Sequence, residues 1–455
     1  MNGHVIVVDL GYGDAGKGTI VDWLCASARR RADDGGADAD GAADADGGGS
    51  RQRPVQAVVR FNGGAQAAHH VLAPDGTPHP FAQFGSGTFT PGTRTFLSRH
   101  MLVDPLALVA EAERLAQRGV TAPLSLVAID RQALLTTPYH RAVNQARERA
   151  RGAGRHGSCG MGIGETAAYA LDCPDDAPRA GDVSAPGTLR GKLERLRDKA
   201  LGDIAAMTGN VTATLPRAAD LVSVYREVAA RVTLTGDGYL AGLLRAGPVV
   251  FEGAQGVLLD EWRGFHPYTT WSTTTFENAE TLLAEAGAAA TRLGVTRTYQ
   301  TRHGPGPFPT EDPALRVCEQ HNRDGRWQGP FRYGHLDAVA LAYAREVAGG
   351  VDAVALTHLD TAEKHAGELR VCRGYRIDGE LRGTLMPGPH RDLDHQQDLT
   401  TALLKARPVY DDTERLTAED WPDAVAEILR APVAVLSSGP GREAKSARRL
   451  AVMSR

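Results

Sequence analysis

The sequence has few cysteines, and none of them are close together. The 455-residue chain contains five, at Cys25, Cys159, Cys173, Cys318 and Cys372, with no C-x-x-C pair among them. An odd number of widely spaced cysteines argues against both a disulfide framework and a zinc site. Free thiols are typical of proteins in a reducing compartment, so we expect the cytoplasm.

Long apolar stretches are also missing. No run approaches the roughly 18 apolar residues that a membrane-spanning helix requires, so no membrane partner is expected. The N-terminal Met1-Asn2-Gly3-His4 leads directly into a strand-like apolar run. It has neither the basic region nor the small-residue cleavage site of a signal peptide, and we therefore expect none.

Basic charge is not in excess. The formal net charge is −4, whereas nucleic-acid-binding proteins usually carry a basic stripe, so no nucleic-acid partner is expected. The hydrophobic fraction of 42% is ordinary for a globular protein. A chain of this length can bury an extensive core.

Residues 31–53 differ from the rest in composition. They are almost entirely Ala, Asp, Gly and Arg, and such a segment buries too little apolar surface to offset the entropy lost on ordering. We predict a disordered low-complexity insertion here, within a single domain that spans residues 1–455.

The remaining sequence alternates strand-like and helix-like segments. Short β-branched runs predict strands at 5–10, 55–61, 124–129, 248–251, 351–356 and 434–436. Helical spacing predicts helices at 19–30, 106–118 and 336–347. Polar, glycine-containing turns follow several of the strands. This alternation predicts an α/β fold with a largely parallel central sheet and helices on both faces, whose ligands bind at the carboxyl ends of the strands.

The first strand is followed by a turn that resembles a P-loop. It reads Gly-Tyr-Gly-Asp-Ala-Gly-Lys-Gly-Thr over residues 11–19, and the backbone N–H groups of such a turn, with the next helix's N-terminus, form an anion site. A standard P-loop has Ser or Thr after the lysine to hold Mg²⁺, but Gly18 stands there. Asp14 inside the loop is the alternative metal ligand. The alternative is a glycine turn without a binding function, in which Asp14 and Lys17 are solvated.

A second glycine turn, Gly63 to His70, contains a candidate proton donor in His69. A histidine can stabilise charge that develops on a transferred phosphoryl group and donate a proton near neutral pH. An isolated histidine in a turn is usually a surface residue, so this interpretation depends on the residues around it.

Five motifs together resemble the adenylosuccinate synthetase family. They are Gly-Asp-x-Gly-Lys-Gly near the N-terminus, the Gly-Gly-x-x-x-x-His turn, Phe-Glu-Gly-Ala-Gln-Gly-x-Leu-Leu-Asp at 251–260, Gly-Pro-Gly-Pro-Phe-Pro-Thr-Glu at 304–311, and Ser-Gly-Pro-x-Arg at 438–442. They occur in the family's order and span nearly the whole chain.

The resemblance implies a reaction and roles for the matching residues. Family members use GTP to phosphorylate the 6-oxygen of inosine monophosphate (IMP), and the amino group of aspartate then displaces the phosphate. Asp14 matches the base that removes the proton of purine N1. His69 matches the residue that steadies the γ-phosphoryl group, and Gln255 matches a residue that holds the nucleotide at the reacting centre.

Further positions match the family's binding residues. For the GTP phosphates and base these are Gly13, Gly16, Lys17, Gly18, Thr19, Asp360, Ser437 and Gly439; for the substrates they are Gln66, Ser158, Cys159, Thr270 and Arg332. Mg²⁺ would be held by the Asp14 carboxylate and the Ala68 carbonyl. The resemblance also implies a homodimer that works on small-molecule substrates. Taken without the family, the alternative for Asp360 is a helix N-cap after a strand.

Several departures concern the substrates. Gln66 stands where the family usually has Asn, and Cys159 and Met161 replace a hydroxyl and an arginine in the nucleotide-phosphate loop. In the family's arginine-rich amino-acid loop, two arginine positions align with Gly329 and Phe331. Arg332 is retained there, and Arg326 could reach in. His358 replaces a lysine beside the guanine.

Three functional hypotheses follow from these matches and departures. The chain is an adenylosuccinate synthetase, or it applies the same phosphoryl activation to a different amine or purine analogue, or it is a catalytically silent nucleotide-binding protein. The altered amino-acid and nucleotide-phosphate loops distinguish the second hypothesis from the first. The joint presence of Asp14, Lys17, His69 and Gln255 argues against the third.

Overall fold

The computed structural model describes residues 3–37, 53–209, 214–317, 327–411, 413 and 415–448. Its strands are β1 Val5–Asp9, β2 Ala57–Arg60, β3 His69–Leu72, β4 Pro78–Phe81, β5 Arg94–Leu97, β6 Leu102–Val103, β7 Val127–Asp130, β8 Leu134–Leu135, β9 Thr233–Thr235, β10 Val249–Gly256, β11 Thr291–Arg297, β12 Gln300–His303, β13 Phe331–Gly334, β14 Leu336–Asp337, β15 Ala353–Thr357, β16 Val371–Ile377, β17 Glu380–Arg382, β18 Arg407–Tyr410, β19 Val433–Ser437 and β20 Lys445–Ala447. Its helices are α1 Lys17–Ala37, α2 Pro105–Gln117, α3 Pro138–Arg151, α4 Ile163–Asp172, α5 Pro186–Thr208, α6 Ala218–Ala229, α7 Tyr239–Ala246, α8 Glu277–Glu285, α9 Ala338–Val347, α10 Leu359–Lys364, α11 Leu393–Leu403 and α12 Trp421–Leu429.

Ten strands form the central sheet, in the order β20-β19-β15-β11-β1-β10-β2-β5-β7-β9. All neighbouring pairs are parallel except β19 and β20. The predicted fold class is confirmed. Strands of this kind are buried on both faces, which explains why β1, β2 and β15 are apolar up to their last residue, without polar alternation.

The two faces of β1 enter different parts of the core. Val5 and Val7 pack in a cluster with apolar residues of α1. Ile6 and Val8 belong to a larger cluster that includes residues of α8, α9 and α12. Because side chains alternate across a strand, this division places helices on both faces of the sheet.

The strand register brings the glycine turns together. Val7 of β1 pairs with Glu252 of β10, and Glu252 in turn pairs with Arg60 of β2. The carboxyl ends of parallel strands lie on the same edge, so the turns after β1, β2, β10, β15 and β19 meet there. An antiparallel hairpin of β12 and β13 adds a further wall, with Arg302 paired to Arg332 in its register.

Several predicted boundaries differ from the structure. Helix α1 continues to Ala37, so the prediction of disorder is wrong for residues 31–37. The helical backbone bonds continue there, supported by an i,i+4 ion pair between Arg29 and Asp33. Residues 38–52 of the predicted insertion lie outside the described residues. Pro123–Leu126 forms a 3-10 turn, so β7 begins only at Val127, and Leu336–Asp337 is a short strand before α9.

An ion pair ties helix α1 to the turn after β19. Arg442 contacts Asp22 through both Nε and Nη2, with Nε at 2.7 Å from Oδ2. Asp22 is almost fully buried, and burial raises the pKa of its carboxyl group while Arg442 opposes that rise. The ion pair therefore holds helix α1 against the turn after β19.

We expect Arg442→Met to lower the free energy of unfolding by roughly 2–3 kcal/mol, because it leaves a buried carboxylate without its partner. Adding Asp22→Asn should recover part of the loss. Urea denaturation measures both. The exposed pair of Arg217 and Asp220 supplies the control, since Arg217→Met should leave the midpoint unchanged. Equal effects of the two arginine changes would contradict this account.

Candidate active site

The phosphate loop between β1 and α1 is organised by one buried carboxylate. Asp9 accepts hydrogen bonds from the backbone N–H groups of Gly11, at 2.8 Å, and Ala15, at 2.9 Å. The Lys17 ammonium lies 3.0 Å from its second oxygen. Asp9 therefore joins the two ends of the loop through these hydrogen bonds and holds Lys17 at the start of helix α1.

Close packing fixes the path of the loop against β10. A Cβ atom added to Gly256 would lie 2.2 Å from the carbonyl oxygen of Gly11 and 2.5 Å from the nitrogen of Gly13. Both neighbours are backbone atoms, which cannot move aside without opening the loop. Thr357 at the end of β15 donates a hydrogen bond to the Ala15 carbonyl from the other side.

Gly18 stands where a standard P-loop has a hydroxyl, and the structure gives the reason. A Cβ atom at Gly18 would lie only 2.7 Å from the Cβ of His69 and 3.1 Å from the Oγ of Ser86. The space that a Ser or Thr side chain would fill is taken by His69. The packing therefore leaves no room for a hydroxyl-bearing side chain at position 18, and His69 occupies that place in the loop.

His69 is held by a buried glutamate that the sequence analysis did not assign. Its Nδ1 lies 2.6 Å from Oε1 of Glu252. The hydroxyl of Ser86 donates to the same carboxylate, and the Ser86 N–H donates to Oε2 at 2.9 Å. These contacts orient the imidazole, with Nδ1 on the glutamate and Nε2 as the nitrogen left for a ligand.

Electrostatics keeps this glutamate ionised. Burial would raise the pKa of Glu252, but the adjacent His69, Arg60 and Ser86 lower it to about 2. For His69 burial prevails and lowers the pKa, while the charge of Glu252 opposes that fall. Glu252 therefore keeps the pKa of the imidazole higher than burial alone would leave it.

Asp14 is the carboxylate inside the phosphate loop. Its backbone is left-handed, with φ of 60°, a conformation that Asp tolerates better than most residues. Its Oδ2 lies 3.5 Å from Nε2 of His303, the last residue of β12.

The residues around Asp14 fit the magnesium ion that the family implies. Mg²⁺ in phosphate-transfer sites is usually bound by one or two carboxylates together with substrate phosphates and water. A partly exposed carboxylate inside a phosphate loop meets that requirement, and Ala68 lines the same cavity. Within the described ranges there is no cluster of three or more His, Cys, Asp or Glu side chains that could bind the ion without a substrate.

One cavity of about 1080 Å³ collects nearly all of the predicted site residues. Those on its walls are Gly13, Asp14, Gly16, Lys17, Gly18, Thr19, Gln66, Ala68, His69, Ser158, Cys159, Gln255, Thr270, Asp360, Ser437 and Gly439. They come from turns far apart in sequence, which the sheet edge brings together.

Two glutamine amides face each other across Gly63. The Nε2 and Oε1 atoms of Gln66 and the Oε1 of Gln255 are buried and have no hydrogen-bond partner among the described residues. A buried amide without a partner costs free energy, so these atoms are placed to bind a ligand in the cavity. Gln255 also has left-handed backbone, with φ of 57°.

The segment around Ser158 forms another wall. Asn144 of α3 donates to the Ser158 hydroxyl at 2.9 Å and accepts from the Gly162 N–H at 3.1 Å. Burial raises the pKa of the Cys159 thiol to about 11, so that thiol stays protonated. Asn144 itself lines the cavity and was not among the predicted residues.

At the opposite end, Asp360 lies in the first turn of α10, which has His358 as its N-cap residue. The alternative prediction of Asp360 as an N-cap is therefore wrong. Both ring nitrogens of His358 are hydrogen-bonded. Nδ1 lies 2.9 Å from Oγ1 of Thr357, and Nε2 lies 3.1 Å from Nη2 of Arg297.

The turn after Ser437 is held by Lys445. Its ammonium group donates to the carbonyls of Gly439, Pro440 and Gly441.

Arg332 is the predicted site residue that does not line this cavity. Its Nη1 forms an ion pair with Glu311 at 2.8 Å, and its Nη2 donates to the Gly306 carbonyl at 2.9 Å. Its assignment to substrate binding stays a prediction that would require the ion pair to open. Arg326, the other candidate in this segment, lies outside the described residues.

The functional residues that the sequence analysis missed act mainly by positioning other residues of the site. Asp9, Ser86, Glu252 and His303 carry no motif spacing of their own that points to the role seen here. Glu252 could have been found, because an acid at the end of a buried strand in Phe-Glu-Gly-Ala-Gln-Gly has to be satisfied by a partner.

Comparisons with known proteins agree with this geometry. A sequence model of adenylosuccinate synthetase matches residues 51–446. The chain belongs to the adenylosuccinate synthetase family. It is 30% identical to the adenylosuccinate synthetase of Bordetella petrii over 462 residues, covering 97% of both chains. It is also 30% identical to that of Bordetella avium over 475 residues, again covering 97% of both.

Solved structures show the same fold at lower identity. The adenylosuccinate synthetase of Plasmodium falciparum matches with a TM-score of 0.74 at 19% identity, covering 99% of this chain and 100% of the other. The succinoaminodeoxyadenylate synthetase of cyanophage S-2L matches with a TM-score of 0.51 at 17% identity, covering 98% and 95%. No helix in the described segments is long and apolar enough to cross a membrane.

We expect Gly18→Ala to lower kcat by about 10²-fold or more, because the added methyl group displaces His69. Gly202→Ala on α5 is the matched control, since a Cβ there meets nothing within 4 Å. Steady-state kinetics and melting temperatures of both variants test this. An active Gly18→Ala protein would show that His69 can move without loss.

Replacing Glu252 by Gln should keep the shape of the His69 contact but remove its charge. We expect kcat to fall by roughly tenfold to a hundredfold, as for a weakened proton donor, with nucleotide KM values little changed. The fall should be largest toward high pH, where the imidazole loses its proton. A kcat–pH profile that superimposes on that of the unchanged protein would refute this role.

Proposed function

We propose that this chain is the ligase that joins IMP to aspartate and forms adenylosuccinate, at the expense of GTP and with Mg²⁺, in purine nucleotide biosynthesis. The observation that carries the proposal is the carboxylate of Asp14 inside a phosphate loop whose P-loop hydroxyl is replaced by His69. A loop that only bound phosphates would gain nothing from a negative charge at that position.

The proposed reaction has two steps. Asp14 takes the proton of purine N1, which makes the 6-oxygen a better nucleophile. That oxygen attacks the γ-phosphorus of GTP, and GDP leaves. The amino nitrogen of aspartate then attacks C6, inorganic phosphate leaves, and the nitrogen loses a proton.

The residues of the chain act on charge and position during these steps. Lys17 and the N–H groups of the loop stabilise the phosphate oxygens, and His69 donates to the transferred phosphoryl group. Mg²⁺ would be held by the Asp14 carboxylate and the Ala68 carbonyl, and it would offset the negative charge that develops on the transferred phosphoryl group. The amide of Gln66 and the Oε1 atom of Gln255, which have no hydrogen-bond partner among the described residues, are proposed to bind the IMP base and its phosphate.

The end of the cavity with Asp360 and Ser437 is proposed to bind the guanine of GTP. A carboxylate is suited to the paired N–H donors on the guanine edge, which adenine lacks. We further propose a cytoplasmic homodimer, as the family resemblance implies.

The decisive experiment mixes purified protein with GTP, Mg²⁺ and IMP, with and without aspartate. It follows phosphate release and the ultraviolet absorbance change of adenylosuccinate. We expect product only when all components are present, and no turnover for Asp14→Asn although nucleotides still bind. Product with another amine or purine, but not with aspartate and IMP, would contradict the proposal. Phosphate release with no combination would support a silent nucleotide-binding protein.

A further inference from the structure

His303 occupies a position on the cavity wall that no motif assigned. It ends strand β12, lines the cavity, and directs its Nε2 toward Oδ2 of Asp14 at 3.5 Å. Its ring packs against Phe331 with centroids 4.5 Å apart. The second ring nitrogen, Nδ1, is buried without a hydrogen-bond partner among the described residues. The Phe331 ring thus supports the imidazole, and Nε2 faces the carboxylate of Asp14.

The two arginines of the same hairpin are already engaged. Arg302 is fully buried and donates to the carbonyls of Pro305, Pro307 and Tyr268. Arg332 is bound to Glu311 and to the Gly306 carbonyl. Arg302 and His303 both line the cavity. Because the Arg302 guanidinium is held by three carbonyls, His303 is the basic side chain of β12 and β13 that the proposal concerns.

The chemistry of the proposed reaction locates His303 relative to the substrate. Asp14 must reach N1 of the purine, and N1 is bonded to C6, the carbon that the amine attacks. A side chain in contact with Asp14 therefore lies beside the path by which the amine arrives. The inference rests on the proposed function in this respect.

We propose that His303 contacts the amine-donor substrate and helps to determine which amine is accepted. An imidazole offers one nitrogen to a carboxylate in the cavity, whereas a guanidinium offers a rigid fork of two. One hydrogen bond from Nε2 to a carboxylate of the amino acid suits a site in which neither hairpin guanidinium is available.

The test compares His303→Ala with His303→Gln, whose amide nitrogen can take the place of Nε2. His390→Gln is the control, because His390 is exposed and outside the cavity. KM for aspartate, IMP and GTP is measured separately, with kcat, for all four proteins. We expect His303→Ala to raise KM for aspartate by about tenfold or more, as for a lost hydrogen bond to a charged group. KM for IMP and GTP should stay within about twofold, and Gln should recover part of the loss.

Two results would overturn the inference. An unchanged KM for aspartate with a lower kcat would mean that His303 acts only on Asp14. Equal increases in all three KM values would mean that it only supports the fold.

Failure of the proposed function is seen separately, in the unchanged protein. If that protein forms no product with aspartate, the same comparison is made with the amine that it does use. If it uses no amine, both the proposed function and this inference are wrong.

Discussion

The buried carboxylate of Asp9 is the constraint on which the site depends. It ends the central strand β1, accepts from two N–H groups of the phosphate loop and pairs with Lys17. A buried charge is tolerated only when its hydrogen-bonding capacity is satisfied, so the loop has to fold around it. The positions of Asp14 and Gly18 follow from that path, and so does the place where α1 begins. Packing of Gly256 against the loop backbone then joins β10, with Glu252, to the same arrangement.

Three carboxylates at this sheet edge perform different tasks because their surroundings differ. Asp9 is buried against N–H groups and a lysine, so it organises the backbone. Glu252 is equally buried, but it meets His69, Ser86 and Arg60, which keep it ionised and let it orient an imidazole. Asp14 is partly exposed in the cavity, with His303 beside it, and is free to contact substrate and metal. The same functional group therefore organises a loop at Asp9, orients an imidazole at Glu252 and is the proposed base at Asp14.

Much of the fold could be predicted from sequence, because parallel strands buried on both faces appear as apolar runs such as residues 5–8. Helix α1 was predicted too short, since composition was taken to indicate disorder, while the helical ladder and the Arg29–Asp33 pair extend it. Most candidate site residues could be predicted from motifs and do line one cavity. Arg332 was retained in the motif, but its pairing with Glu311 could not be read from spacing. His303 was missed because its role exists only through a contact with a residue distant in the chain. Glu252 was missed although an acid at the end of a buried strand requires a partner.

The sequence by itself determined the local chemistry: a glycine-rich loop with an acid and a lysine in it, and a histidine in a second turn. Local conformation follows from neighbouring residues, and a motif of a few residues specifies it. Tertiary structure alone decided which side chains meet. The register of β1, β10 and β2 brings Glu252 beside the phosphate loop, where it contacts His69, and strand β12 brings His303 to Asp14. Such contacts join residues hundreds of positions apart, so they depend on strand order and packing across the whole sheet, which no local pattern encodes.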